Sequence, residues 1–146
     1  MDAMTNRPLI VSAGVVLRDG RVMLCRRKPG AHNGLKWEFP GGKLEPGETP
    51  EAALARELRE ELDIEVTVGR ICDAVLYRYP DREVLVLFYR CALTEGEPRP
   101  VDCDAIQWAA PDDLASFNFS GADAEFVRRL VPQISEIIVN TVVTVQ

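Results

Sequence analysis

From Leu9 to Leu17 the chain reads LIVSAGVVL, an apolar and partly β-branched run; the polar RDGR interrupts it, and VMLCRR resumes the apolar pattern. Two such runs split by Asp-Gly predict a β-hairpin turning at Asp19-Gly20. A polar loop, KPGAHNGLK, separates the hairpin from the short strand WEFP and the glycine pair Gly41-Gly42. Thr49-Pro50 is a helix start, with Thr as N-cap and Pro at the first helical position, and EAALARELREEL supplies strong helix formers for three to four turns. IEVTVGRICDAVLYRY and EVLVLFYRCAL read as two further strands joined through PDR, and AIQWAA as a short one. PDDLASF forms a helical turn, and Phe126, Leu130, Ile134 and Ile137 or Ile138 recur at helical spacing, which predicts a second helix over 121–138. The ending VNTVVTVQ reads as an added edge strand, a dimer contact or a frayed tail.

These elements predict an α/β fold, a mixed β-sheet packed between helices. With 146 residues and 47% hydrophobic content the expectation is a single domain over 1–146, its core at about 8–138 and its tail at 139–146. The net charge of -6 argues against a partner such as DNA or RNA, whose phosphates a binding protein neutralises with many cations. No apolar run reaches the roughly 18 residues of a membrane span, and the N-terminus lacks the layout of a secretory signal. A cytoplasmic protein, away from membranes, is expected. Cys25, Cys72, Cys91 and Cys103 form no CxxC or CxxH group, so free thiols are a better reading than a zinc site or a disulfide framework.

The charge pattern of the first helix changes the picture. Glu57, Glu60 and Glu61 fall within an arc of roughly 100° on one face, beside a docking stripe of Leu54, Leu58 and Leu62. Arg56 and Glu60 make an attractive i,i+4 pair, as on an ordinary solvated helix, but Glu57 and Glu61 make a repulsive one. Three carboxylates on one arc also suit a hard cation such as Mg²⁺ or Mn²⁺. Gly41-Gly42 admits close approach of backbone to a ligand, and Glu48 lies just before the helix N-terminus. A glycine loop and an acidic helix without a lysine-rich groove suggest that the metal ion carries the positive charge for a phosphate-containing substrate.

Gly42, five residues, Glu48, seven residues and then RELREELDI closely resemble the Nudix box, GX5EX7REUXEEXGU with U aliphatic. Asp63 departs from it, standing where the pattern has glycine; Asp is among the few residues that tolerate φ > 0, at a cost of about 1 kcal/mol. WEFPGGKLEPGE, the upstream RR and the late GEP…W segment are similar to the MutT branch of that family, over most of residues 8–130.

The resemblance implies a Nudix-type α/β/α sandwich and a metal-dependent hydrolase of nucleoside diphosphates linked to another group. It implies Glu57, Glu60 and Glu61 as catalytic residues and metal ligands, with Glu57 favoured as the base and Arg56 orienting Glu48. Gly41, through its carbonyl, and Asp102 are implied as further ligands, with Asp104 competing for the place of Asp102. For substrate binding it implies Arg27, His32, Glu38, Phe39, Pro40, Asp123 and Asn118. Alternatives stand beside these: His32 as an exposed loop residue, Phe39 as core, Asp123 as a helix cap. The implied activity is hydrolysis of a nucleoside triphosphate, such as 8-oxo-dGTP, to monophosphate and pyrophosphate. A pyrimidine nucleotide of the CTP or dCTP type is the alternative substrate, because RELREELDIEVTVG also resembles members with that preference, while Asp123, where MutT has a base-reading asparagine, departs from the 8-oxoguanine pattern. A non-catalytic nucleotide-sensing module is the reading from a different class, disfavoured by the complete set of box carboxylates. The expected partner is a small nucleotide, and the expected assembly a monomer or homodimer.

Overall fold

The computed structural model describes residues 7–134 and 136–137. The first hairpin forms as the pattern predicts: β1 spans Leu9–Arg18 and β2 Arg21–Arg26. Asp19 and Gly20 between them both take positive φ, 53° and 74°, the combination that matches the twist of paired strands. The expected WEFP strand is split. Trp37–Glu38 forms β3, Phe39-Pro40 makes a corner, and Gly41–Lys43 forms β4. The helix α1, Pro50–Leu62, begins where Thr49 Oγ1 accepts the N–H of Ala52 at 3.1 Å. It ends at Asp63, whose φ of 58° and ψ of 41° are left-handed, so the aspartate occupies the conformation that the pattern's glycine serves.

β5, Glu65–Arg78, and β6, Glu83–Glu95, form a long antiparallel pair, with register shifts between Val68 and Ile71 and between Ile71 and Asp73. β7 is Ala105–Ala109, and the 3-10 turn Pro111–Ser116 follows it. The helix α2, Gly121–Leu130, is interrupted by a 3-10 turn at Val131–Gln133, because Pro132 has no N–H for the carbonyl of Arg128, and α-helical backbone resumes at Ile134 and continues at Glu136 and Ile137. The 139–146 tail lies outside the described residues.

The seven strands make one mixed sheet with β1 at its centre. β1 runs parallel to β6, from Leu9 opposite Val84 to Leu17 opposite Ala92. Along its other edge β1 pairs first with β4 and then, at the hairpin end, with β2. β2 continues outward to pair with β3 and β7. Strand alternation sends side chains to opposite faces, and a helix covers each face. Leu54, Leu58 and Leu62 of α1 pack with Val16, Met23 and Cys91. Phe126, Val127 and Leu130 of α2 pack with Val15, Leu24 and Phe88 on the other side, where the Phe88 and Phe126 rings stack at 3.8 Å. The sandwich expected from the resemblance is present.

Ser12 ties one of these layers to the sheet. Fully buried in β1, its hydroxyl donates to the carbonyl of Pro50 at 2.9 Å, fixing the start of α1 over the strand that also carries β4. The leucine stripe fixes the helix's rotation about its own axis. Leu58→Ala, at a site with no exposed surface, is expected to cost about 3 kcal/mol in urea unfolding.

Candidate active site

Arg56 organises the acidic end of the site. Its Nε and Nη2 bind the two oxygens of Glu48 at 2.7 and 3.0 Å, and Nη2 also donates to the carbonyl of Lys43 at 3.2 Å. Nη1 reaches Glu57 at 3.0 Å and Glu60 at 3.1 Å. One planar guanidinium therefore joins the helix, the β4 backbone and the loop before α1. The Arg56 bonds, helped by the N–H of Glu45, hold the Glu48 carboxyl below its ordinary range. The same partners raise the already high pKa of Arg56.

Glu57 lies under β4. A Cβ at Gly42 would come within 2.4 Å of its Cδ, so glycine here makes room for a carboxylate. A Cβ at Gly41 would stand 2.0 Å from the Ser12 carbonyl oxygen, so the neighbouring glycine lets β4 close on β1. Glu61 follows Glu57 by one helical turn, so the two carboxyls share a face of α1. Burial first, and then the charges of Glu57 and Glu38, push Glu61 up to about 9. It is a half-buried acid, raised by desolvation and then by the acids around it.

Glu60 and Asp102 are not gathered into this pair. The Glu60 side chain is 60% exposed and bonded to Arg56; that of Asp102 is 67% exposed and bonded to Lys28 at 3.1 Å. Each exposed carboxylate takes the nearest cationic side chain. Asp104, the competing ligand, is held by Arg26, whose Nε donates to it at 2.7 Å. Among the described residues no three His, Cys, Asp or Glu side chains converge on one ion position as they stand. The donor chemistry nevertheless fits a hard divalent cation, since every candidate is an oxygen donor and the half-buried carboxyls of Glu57 and Glu61 share one face of α1, where their like charges favour a cation between them.

On the other face of the sheet lies a cleft of about 510 Å³. Its apolar floor is Leu9, Val11 and Ala13 of β1 with Val84 and Val86 of β6, and Gly41 and Lys43 form its border with the acidic end. Arg27, His32, Glu38, Phe39 and Asp123 all line it, so the structure brings these five sequence candidates together. Arg27 Nη1 pairs with Glu38 at 3.2 Å, and its Nε donates to the carbonyl of His32 at 2.6 Å. Burial raises the Glu38 carboxyl, against the opposing pull of Arg27. Phe39 is only 3% exposed and packs on Phe88, Phe119 and Phe126, so it is core and cleft wall at once.

Asp123 is a half-buried acid in the wall of the cleft. Its Oδ1 accepts the N–H of Phe39 at 3.1 Å, which joins α2 to the corner between β3 and β4. Burial, then the charge of Glu38, pushes its carboxyl up to about 8. The shift holds its proton well above the ordinary carboxylate range, and in that form one oxygen accepts and the other can donate.

Pro40 and Asn118 do not reach the cleft. Pro40 is buried, and its carbonyl accepts the N–H of Gly14 at 2.8 Å, so it shapes the corner. Asn118 lies between Phe117 and Phe119 in extended chain bridged to Trp37. Turning Phe119 inward leaves Asn118 exposed, and its backbone carbonyl accepts the N–H of Trp37 at 2.9 Å. Sequence reasoning missed Lys43, Tyr79, Arg82 and Ser120, which also line the cleft. The signal for Lys43 was its two-residue spacing from Gly41. Tyr79 was read only as the end of a strand and Arg82 only as part of the turn PDR. Tyr79 meets the His32 ring edge-on at 5.9 Å, and its hydroxyl accepts the N–H of Ala122 at 3.4 Å.

The fold and this arrangement define a class. Residues 8–130 match the family described as NUDIX domain, and the chain belongs to it. It is 32% identical over 125 residues to the 8-oxo-dGTP diphosphatase of Escherichia coli, an alignment covering 85% of this chain and 97% of that one. It is 33% identical over 113 residues to the CTP pyrophosphohydrolase of the same organism, covering 77% and 84%. Its structure matches the crystal structure of a MutT NUDIX hydrolase from Burkholderia pseudomallei with a TM-score of 0.75 at 29% identity, covering 87% of this chain and 98% of that one. The chain is thus a MutT-like member of the family.

Two outcomes follow from the geometry. Gly42→Ala displaces the mobile end of Glu57 rather than backbone, so it should leave the unfolding midpoint nearly unchanged while weakening Mn²⁺ binding about tenfold in calorimetric titration. Between an unfolded-state pKa of about 4 and the folded value of about 8, Asp123 retains a proton that the unfolded chain releases, so its contribution to stability falls as pH rises. Asp123→Asn should accordingly gain stability relative to the parent as denaturation is followed from pH 4 to pH 8, with the gap levelling off above the upper value.

Proposed function

We propose that the protein is a metal-dependent nucleoside triphosphate pyrophosphohydrolase that releases a nucleoside monophosphate and pyrophosphate, with 8-oxo-dGTP or a related oxidised purine nucleotide as substrate. The single observation that carries this reading is the cleft of nucleoside size that ends at β4, with the Glu57–Glu61 pair directly behind that strand. Family membership supplies the reaction class, and the diphosphatase relative supports the substrate.

In this reading the apolar floor and Phe39 bury the base, and Asp123 reads its edge. With Oδ1 taken by Phe39, a protonated Asp123 offers its Oδ2–H to a carbonyl such as the O6 of an oxidised guanine. Arg27 and Lys43 stand on the path from the cleft to the carboxylates and bind phosphate oxygens. Glu57, Glu60, Glu61, Asp102 and the carbonyl of Gly41 would hold the cation, Mg²⁺ or Mn²⁺. Such a cation neutralises phosphate oxygens and lowers the pKa of water. Arg56 keeps Glu57 in place, and Glu57 is the group that accepts the proton from the attacking water.

The second reading is a CTP-type pyrimidine nucleotide. It is favoured by the CTP pyrophosphohydrolase relative and by the acid at position 123, which when ionised accepts from an exocyclic amino group. A small nucleotide is the partner in either case, in the cytoplasm, where such pools lie.

Glu57→Gln and Glu61→Gln should each reduce kcat about a hundredfold or more while retaining the parent's circular dichroism and unfolding midpoint. The assay measures pyrophosphate release from 8-oxo-dGTP, dGTP, CTP, dUTP and ADP-ribose, with Mg²⁺ and again with EDTA. Turnover that survives EDTA, or either substitution at full rate, overturns the site assignment. A kcat/KM for CTP above that for 8-oxo-dGTP decides for the second reading.

A further inference from the structure

The first turn of α2, which carries Asp123, is capped from outside the helix. Ser120 holds the N-cap position and is buried, but its side chain makes no cap bond. At an N-cap a side-chain oxygen ordinarily accepts the N–H of the second or third helical residue. The second residue of α2 is Ala122, and its N–H donates instead to the hydroxyl of Tyr79 at 3.4 Å, 43 residues away in sequence. Gly121 makes room for this contact, since a Cβ there would overlap the Tyr79 hydroxyl.

Tyr79 is fixed from its own side. It directly follows β5, and two backbone bonds close the turn into β6: the N–H of Tyr79 donates to the carbonyl of Arg82 at 2.8 Å, and the N–H of Arg82 donates back at 3.3 Å. The Tyr79 ring leans on that of Tyr77 at 4.7 Å and meets His32 edge-on. Its hydroxyl is therefore a fixed point at the end of the sheet, and the start of α2 hangs from it. Asp123 is the next residue after Ala122, and from there its Oδ1 reaches the N–H of Phe39.

We propose that Tyr79 is a positioning residue for base selection: its hydroxyl, acting in place of the missing cap, sets where Asp123 stands in the cleft. This rests on the reading of the cleft as a nucleotide site with Asp123 against the base. A hydrogen bond weakens steeply as its distance and angle degrade, so a loosened first turn of α2 costs selection among bases. Glu57 belongs to another helix, behind β4, so the hydrolytic step is spared.

The test uses Tyr79→Phe, which keeps the ring beside His32 and removes only the hydroxyl, in the parent and in an Asp123→Ala background. Pyrophosphate release is followed with 8-oxo-dGTP, dGTP and CTP. Tyr79→Phe should raise KM for the preferred nucleotide about fivefold, the factor that one lost cap bond sets, with kcat within about twofold, and should narrow the preference among the three by a similar factor. In the Asp123→Ala background the same substitution should change KM less than about twofold, because the residue through which it acts is gone. Without any turnover, hydrogen exchange at the Phe39 amide, whose partner is Asp123, should quicken about fivefold in Tyr79→Phe relative to the amides of β1.

An equal rise in KM in both backgrounds would show Tyr79 acting on the nucleotide directly and overturns the proposal. A lower unfolding midpoint with unchanged selection reduces Tyr79 to a structural cap and overturns it as well. A parent that hydrolyses none of the three nucleotides counts against the proposed function alone, since unchanged exchange at Phe39 is what overturns the positioning of Asp123.

Discussion

The acidic end of this protein depends on one guanidinium. Glu48, Glu57 and Glu60 are within hydrogen-bonding distance of Arg56, a density of negative charge that would splay apart without it. The arrangement is geometric as well as electrostatic. A fork that binds Glu48 with two parallel bonds fixes the plane of the group, and the remaining nitrogen is thereby aimed at α1's own carboxylates. Lysine, a single point charge, has no such plane. The loop before α1, the first turns of the helix and the backbone of β4 are held as one unit by a residue that occupies no catalytic position itself.

Much of that unit is legible in the sequence, because its determinants are local. The Thr49-Pro50 start, the leucine stripe and the i,i+4 relation of Arg56 to Glu60 are all properties of one helix, and helical geometry converts their spacing into a face. Asp63 follows the same logic: the residue that breaks the glycine pattern adopts the left-handed backbone, and its carboxylate pairs with Arg99 at 3.0 Å. The cleft is less legible. Tyr79 and Asp123 meet only because β5 and α2 are brought over the same end of the sheet, and Asn118 is turned away by the inward packing of Phe119. No spacing rule connects those positions. The break in the second helix is illegible for a different reason, since its apolar periodicity runs through Pro132, where the missing N–H turns one turn into 3-10 before helix resumes at Ile134.

Two acids in the structure illustrate how one physical cause serves different ends. Burial raises both Glu61 and Asp123. Glu61 stands among other carboxyls, whose charges add to the effect of burial. Asp123 faces a backbone N–H, so its proton turns it toward amide-like behaviour, with an acceptor and a donor side by side. The sequence alone sets aspartate against asparagine as opposites; the surroundings of Asp123 make them neighbours.

β4 is three residues long and pleated, with Gly41 and Lys43 toward the cleft and Gly42 toward Glu57. Successive residues of a strand advance by about 3.3 Å, so this short ribbon acts as a ruler between the two compartments. A molecule seated by one end in the cleft is measured from that end, whatever trails beyond. The distance between cleft and Glu57 is then set by the protein's own backbone, and not by a flexible side chain.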